Sequence, residues 1–510
     1  MLRDLKFVGF TLGWVVFLVV LLVPFGGIEP LTRRMAAVTL VMAIWWMTEA
    51  LPISITALVP IFAFPLLGIA SSTEATQPFA NNNIYLFLGG FLLAVSMQRW
   101  NLHRRIALWL MLRIGRSPKG IIAGFMTVTA ILSMWVSNTA TAVMMLPISM
   151  AIIGRMTDYD VEAPVVTDVQ RSQKNFATAL LLGIAFAASI GGIGTLVGTP
   201  PNIILVGMFK RMFPGAPEIS FFTWMKIGIP LVIVFLPMTY YTLVRFIWPF
   251  RSEHLIQDSM FLKREYIRLG KLQRGELFTM IIFTLTVFLW IFRKDLELGQ
   301  LVLPGWSRIF GSNAANINDS TVAMFMAWLL FLTPVDLKNR VFLLDRTWYK
   351  NIPWNILVLF GGGFALADGF HKSGLDQWVG GHISAFTHIP IIPLLLGIAL
   401  LVALLSSVTS NTAIATVMLP ILAATGIAAG IHPMVLMVPA TIAASCAFLL
   451  PVSTPPNAVM FGSGYLTIPT MVKSGIVLLV VGTVLSVAVT YFIAVPVFEI
   501  DIYSTPVWAN

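Results

Sequence analysis

The sequence predicts an all-α polytopic membrane protein: about eleven transmembrane helices, two inverted repeats, two re-entrant hairpins and two broken helices. Composition, recurrent apolar runs and an internal duplication carry that expectation. Of 510 residues, 58% are hydrophobic and only 11% are charged, and the mean hydropathy is +0.88. Soluble domains are roughly 45–50% apolar and about 25% charged. Apolar runs recur at 7–23, 35–46, 278–292 and 476–495, and a helix that crosses hydrocarbon needs about 20 mostly apolar residues. The run 7–23 does not read as a cleavable signal, because Pro24-Phe25-Gly26-Gly27 lacks a small-x-small cleavage site.

Three segments recur in the same order in both halves. Asn83-Ile84-Tyr85-Leu86-Phe87-Leu88-Gly89-Gly90-Phe91 returns as Asn355-Ile356-Leu357-Val358-Leu359-Phe360-Gly361-Gly362-Gly363-Phe364. Ser137-Asn138-Thr139, followed by an apolar stretch to Pro147, returns as Ser410-Asn411-Thr412 with Pro420. Gly198-Thr199-Pro200-Pro201-Asn202 returns as Ser453-Thr454-Pro455-Pro456-Asn457.

Charge orients the copies. After the first glycine motif come Arg99, Arg104, Arg105, Arg113, Arg116 and Lys119, whereas the matching stretch 370–388 has Lys372, Asp376 and three histidines. Basic residues gather on the cytoplasmic side, so equivalent segments fall on opposite faces and the repeat is inverted. The trace then has a cytoplasmic N-terminus, an N-terminal helix in 1–34 and a first repeat in 35–248. A cytoplasmic linker follows at 249–275, then a second repeat in 276–510 and an outside C-terminus. Crossings fall near 7–26, 35–52, 53–69, 84–98, 223–248, 276–294, 319–335, 353–368 and 474–496. Residues 99–116 lie along the inner surface as an amphipathic helix. Segment 119–155 is a hairpin, because its arms, about 16 and 15 residues, are short of a full span, and 389–426 repeats it from the outside. Segments 176–210 and 433–462 are broken helices. The net charge of +10 sits largely in short inner loops, which marks a topology determinant rather than a nucleic-acid footprint. The linker reads as a solvated, charge-dense loop.

Within hydrocarbon a helix breaks only where protein or a water-filled cavity receives the freed backbone groups. Pro200-Pro201 and Pro455-Pro456 lack amide protons and disfavour helix before them. Each break leaves carbonyls at one half-helix end, suited to a hard cation, and amides at the next start, suited to an anion. Ser-Asn-Thr at each tip adds side-chain oxygens, caps and donors. No Lys, Arg or His lies within ten residues of either tip. Bringing an ion into a low-dielectric interior carries an idealised cost of order 20 kcal/mol, so a dianion there requires companion cations. The motifs also hold no Asp or Glu to relay a proton. The one cysteine, Cys446, sits in an apolar run and reads as a core residue. Glu49 and Asp368 end apolar runs. An intramembrane acid is a functional candidate, but each also fits a structural residue paired with a basic group.

At these motifs the chain resembles the divalent anion:sodium symporters, with Trp45-Trp46-Met47-Thr48-Glu49-Ala50-Leu51-Pro52-Ile53 as a further match. The resemblance covers nearly the whole chain and implies a homodimer whose transport part slides as an elevator against a static scaffold. It implies one sodium site at Ser133, Ser137, Asn138 and Gly198, and a second at Ser406, Thr409, Asn411 and Ser453. Substrate carboxylates would meet Asn138, Thr139, Asn411 and Thr412, with Thr199, Pro200, Thr454 and Pro455 beside them. No cofactor is expected beyond co-transported Na+. The expected partners are a small dicarboxylate, Na+, the lipid bilayer of the inner (plasma) membrane and a second copy of the chain. The expectation is therefore a sodium-coupled importer of C4-dicarboxylates. A sodium-independent exchanger and a sulfate or citrate carrier are the alternatives in its class. A passive channel fits occluding hairpins poorly, and an intramembrane enzyme would need a nucleophile or metal cluster that six His and one Cys do not form.

Overall fold

A computed structural model describes residues 2–23, 27–115, 117–157, 167–255, 260–298, 301–383 and 389–509. Pro24 to Gly26, Arg116 and His388, used above, lie outside the described residues. The chain is overwhelmingly helical, with two small antiparallel ribbons, Leu296–Leu298 on Leu301–Leu303 and Pro334–Asp336 on Val341–Phe342. Among the described residues eight helices are long and apolar enough to cross a membrane, or nine if Trp306–Asn316 and Asp319–Leu332, bent by 112°, form one span. The eight include three hairpin arms, and they leave out the shorter apolar helices Lys6–Leu22, Ile53–Leu67 and Pro433–Ala444, the bent pair, and Pro30–Thr48 and Trp354–Ser373, so the count does not settle the expected eleven. The expected crossing 53–69 is two pieces, Ile53–Thr56 and Val59–Leu67. Pro60, at the start of the second piece, has no amide to continue the first.

One order of elements appears in both halves. A helix bearing the glycine motif (Asn82–Arg99, then Trp354–Ser373) precedes a hairpin, Pro118–Ser133 with Asn138–Met156, then Ile391–Val408 with Asn411–Ala428. A broken helix follows, Asp168–Gly192 with Pro200–Met212, then Pro433–Ala444 with Pro455–Phe461. Each half closes on a long helix ending in a π-helical turn, Phe221–Tyr241 into Thr242–Ile247 and Ile468–Val489 into Thr490–Ala494.

Asp168–Gly192 runs through the centre, buried along nearly its whole length. A helix apolar on every face belongs there, and its Ala177, Ala179, Gly183, Ala185, Ala187, Ala188, Gly191 and Gly192 let neighbours approach closely. A Cβ at Gly191 would stand 2.3 Å from the Ala130 carbonyl oxygen of the first hairpin arm. Gly191→Val should therefore be overpacked by more than the usual 1–3 kcal/mol of a core insertion. The expected result is loss of monodisperse protein on size-exclusion chromatography, and a wild-type profile would show that the arm can retreat. The half-helices cross between copies: Pro455–Phe461 packs on Asp168–Gly192 and Asn138–Met156, and Pro200–Met212 packs on Asn411–Ala428. That exchange brings the two tips together.

Ion pairs fasten the ends. Arg105 grips Glu276 through both oxygens (2.8 and 3.0 Å) and donates to the carbonyls of Leu269, Gly270 and Lys271. The segment expected to be a solvated linker thus docks in part: its helix Phe261–Arg268 lies on the amphipathic helix Leu102–Ile114, with Arg104 and Glu265 3.1 Å apart. Phe250, Leu255 and Leu262 are buried there. Asp368 takes a two-pronged pair from Arg211, with Nε 2.7 Å from Oδ1, which is the structural role set out for it.

Candidate functional site

The Ser-Asn-Thr tips are helix starts. Ser137 caps Asn138–Met156, accepting from the Ala140 amide at 3.3 Å, and Ser410 caps Asn411–Ala428, accepting from the Ala413 amide at 3.5 Å. Both half-helices after the breaks begin with proline, at Pro200 and Pro455, where a missing N–H costs nothing. The residue ahead of each, Thr199 or Thr454, is extended. Four helix N-termini converge on one place.

That place is a cavity of about 420 Å³, within the usual range for small-molecule pockets. Its wall includes Ser137, Asn138, Thr139, Gly198, Pro200, Ser410, Asn411, Thr412, Ser453, Thr454 and Pro455. Ser133, Thr199, Ser406 and Thr409 stand behind the wall, buried. Ser133 donates to the Ala188 carbonyl at 2.8 Å, Ser406 to that of Ala444 at 2.6 Å, and Thr409 to that of Leu405 at 2.8 Å. The Asn138 amide suits its surroundings with the nitrogen turned inward, donating to the carbonyls of Gly198 and Ala188, each at 3.1 Å. Asn411 Oδ1 accepts from the amide of Thr412 at 2.7 Å and from its hydroxyl at 3.1 Å.

Both breaks are tied by the asparagine of the Thr-Pro-Pro-Asn motif. Asn202 Nδ2 donates to the carbonyls of Gly192, Ile193 and Thr195 (3.2, 3.3 and 2.7 Å). Asn457 Nδ2 donates to those of Ala447 and Leu450, each at 3.2 Å, and to Ser453 Oγ at 3.0 Å. The carbonyl oxygens of these two side chains, with Thr199 Oγ1, Ser189 Oγ and Ser445 Oγ, are buried without a hydrogen-bond partner. A buried polar atom left unmet calls for an explanation, and an alkali cation is a partner these oxygens can take. Among the described residues no three His, Cys, Asp or Glu side chains gather as a metal site. The donor set around the tips is one of hydroxyl, amide and backbone oxygens, which fits Na+.

The other side of the cavity comes from Glu49, Ile53, Phe87, Phe91, Asn355, Ile356 and Leu359. Apart from Glu49, weighed above as an intramembrane acid, sequence reasoning missed these as site residues, although five of them, Phe87, Phe91, Asn355, Ile356 and Leu359, belong to the first repeated motif. Glu49 ends helix Pro30–Thr48 with φ of 48°, a left-handed conformation uncommon for a non-glycine. Its carboxylate lies 3.5 Å from Lys6, both side chains being about half exposed (50% and 52%). The pairing with a base agrees with the structural reading, but the residue also stands on the cavity wall, where among the described residues it is the one charged group. Cys446, in the second break, is fully buried, with its thiol against the Ile442 carbonyl at 3.4 Å.

Residues 5–498 match the family described as the sodium:sulfate symporter transmembrane region. The chain belongs to that family, the divalent anion:sodium symporters. The sodium-dependent dicarboxylate transporter SdcS of Staphylococcus saprophyticus is 41% identical over 467 residues, which cover 91% of this chain and 87% of that one. The protein of the same description from Staphylococcus aureus MRSA252 is 40% identical over 504 residues, 98% of this chain and 93% of the relative. The crystal structure of the Alcanivorax borkumensis YdaH transporter, described as having an unusual topology, superposes with a TM-score of 0.59. It covers 90% of this chain and 98% of that one, and at 12% identity the likeness speaks for the fold alone. This symporter family is one of multi-pass membrane transporters rather than enzymes.

Proposed function

We propose that the protein is a sodium-coupled symporter that imports C4-dicarboxylates such as succinate, malate and fumarate. The observation that carries this reading is the charge of the cavity. Its wall gathers helix N-termini and neutral oxygens suited to carboxylates, yet among the described residues it has no Lys or Arg side chain, and its one charged side chain is Glu49. A dianion among such groups gains partial charges from the helix ends but still leaves water without a counter-ion. Sodium ions at Ser133, Ser137, Asn138 and Gly198, and at Ser406, Thr409, Asn411 and Ser453, would supply the positive charge. Coupling then follows from electrostatics: the anion binds well only where the cations have bound. The relatives named as sodium-dependent dicarboxylate transporters support the same substrate and ion.

The duplicated hairpins and broken helices, with basic residues concentrated on one of two equivalent segments, support an inverted repeat and alternating access of the elevator type. The site residues reach the cavity on one set of elements, the hairpins and half-helices, and Glu49, Phe87, Phe91 and Asn355 on another, the helices Pro30–Thr48, Asn82–Arg99 and Trp354–Ser373. Movement of one against the other would expose the cavity to each face in turn. On this reading the protein is a homodimer of the inner membrane, with its N-terminus cytoplasmic and its C-terminus outside.

In proteoliposomes an inward sodium gradient should accumulate labelled succinate, and equal uptake under a potassium gradient would exclude coupling. A competition panel of succinate, citrate and sulfate on the same vesicles assigns the anion. Glu49 adds a finer expectation. Its carboxylate opposes the anion, and Lys6 offsets it. Glu49→Gln removes the like charge and frees the ammonium, so KM for succinate should fall roughly fivefold, about 1 kcal/mol for one charge seen through water. Lys6→Gln should raise KM. An unchanged KM in both would mean that the pair lies outside the field of the bound anion.

A further inference from the structure

A larger cavity, of about 630 Å³, has on its wall no residue of the Ser-Asn-Thr tips or the Thr-Pro-Pro-Asn breaks among the described residues. One wall is a single face of the returning arm Asn138–Met156, beginning at Ala140 and ending at Arg155. At 1.5 Å per residue that face runs about 20 Å. Its middle is apolar, with Val143, Met144, Pro147 and Ile148, and the Val143 side is open, the residue being 52% exposed. The opposite wall is the start of the amphipathic helix and the docked linker helix, which contribute Arg104, Glu265 and Arg268. Arg104 and Arg268 share the one carboxylate of Glu265, at 3.1 and 2.7 Å, so this trio keeps a net positive charge before Arg155 is counted. Burial holds the nearby His103 below the usual histidine range, so it adds no charge at neutral pH.

We propose that this cleft binds an anionic phospholipid, its phosphate at the arginine cluster and one acyl chain along the apolar face of the arm. Guanidinium groups match phosphate oxygens in pairs. A free phosphate would use only the charged end and leave the apolar face wet, whereas an acyl chain covers it. The cluster stands on the face that the proposed topology makes cytoplasmic, where acidic lipid headgroups attract clustered Lys and Arg. The binding itself rests on the cleft alone, whatever the protein carries. A chain lodged there sits between the first hairpin and the linker helix, so the lipid would bear on any motion of that hairpin.

Native mass spectrometry of the full-length protein, offered equal phosphatidylglycerol and phosphatidylcholine, tests this. Wild type should retain phosphatidylglycerol at least fivefold over phosphatidylcholine. Arg268→Gln, which neutralises the trio, and Val143→Trp, which fills the apolar channel, should each reduce that preference at least threefold. Arg340→Gln, a basic residue away from the cleft, should leave it unchanged. Equal retention of both lipids by wild type would overturn the proposal, as would an equal loss in Arg340→Gln or an unchanged preference in both cleft variants. Complete displacement of phosphatidylglycerol by millimolar inorganic phosphate would make the cleft a site for the free anion and would equally overturn it.

Discussion

Alanine in place of Asn138 or of Asn411 should lower sodium-driven succinate uptake about a hundredfold while leaving folded protein. Each asparagine opens a returning arm at its tip and stands on the wall of the cavity. Asn138 also joins the tip to the break, through the carbonyls of Gly198 and Ala188. On the proposed reading each side chain offers its oxygen to a sodium ion; the N–H groups of Asn411 meet a carboxylate, and those of Asn138 hold the break carbonyls beside the ion. Hydrogen bonds to charged groups contribute about 1.5–3 kcal/mol each, and 1.4 kcal/mol is tenfold in affinity, so losing both contacts gives the hundredfold. The backbone amides of the arm remain, because Ser137 and Ser410 cap it, and stability should change little. Uptake against sodium concentration separates two causes: a lost sodium ligand shifts the sodium dependence, whereas a lost substrate donor shifts KM at saturating sodium. Wild-type rates in both variants would move the transport site elsewhere.

Much of this site could be read from the chain because its parts are local. A Ser-Asn-Thr cap and a Pro-Pro break each declare themselves within a few residues, and duplication shows that both matter. Where hairpins are expected at 119–155 and 389–426, the helices are Pro118–Ser133 and Asn138–Met156, then Ile391–Val408 and Asn411–Ala428. What could not be read depends on packing between distant segments. Glu49 reaches the cavity because Pro30–Thr48 ends beside it in a left-handed turn, and no spacing rule joins residue 49 to residues 138 and 411. Phe87 and Asn355 were visible as repeats, yet only the fold shows that their helices line the cavity. The docking of the linker depended on Glu265 and Arg104, 161 positions apart. Within a charge-dense loop, such a partner cannot be told from a solvated residue. Thr199, expected near substrate by resemblance, stands behind the wall with an unmet hydroxyl, closer in character to an ion ligand than to a substrate donor.

The second large effect should be on stability, just past the other end of helix Arg274–Ile291 from the Arg105 grip. Arg293, 3% exposed, donates to Asp319 at 2.7 Å, to Glu218 at 2.6 Å and to the Ile317 carbonyl at 2.8 Å. Asp319, 6% exposed, also accepts from the amide of Phe221, the first residue of helix Phe221–Tyr241, at 2.7 Å. One carboxylate thus joins three helix ends that lie far apart in sequence. Asp319→Ala leaves a guanidinium buried with part of its charge unmet and a helix amide without its acceptor. Removing one partner of a buried pair costs about 3–5 kcal/mol, which corresponds to a fall in melting temperature of roughly 5–10 °C. Cys446 supplies the measurement: it is the chain's one cysteine and fully buried, so a thiol-reactive dye reports unfolding as it becomes accessible. Replacing both charges, as Asp319→Leu with Arg293→Met, should recover part of the loss, because no ion then remains unpaired. If the single variant melted with wild type, Arg293 would have to be satisfied by Glu218 alone, and the three-helix junction would hold by packing rather than by charge.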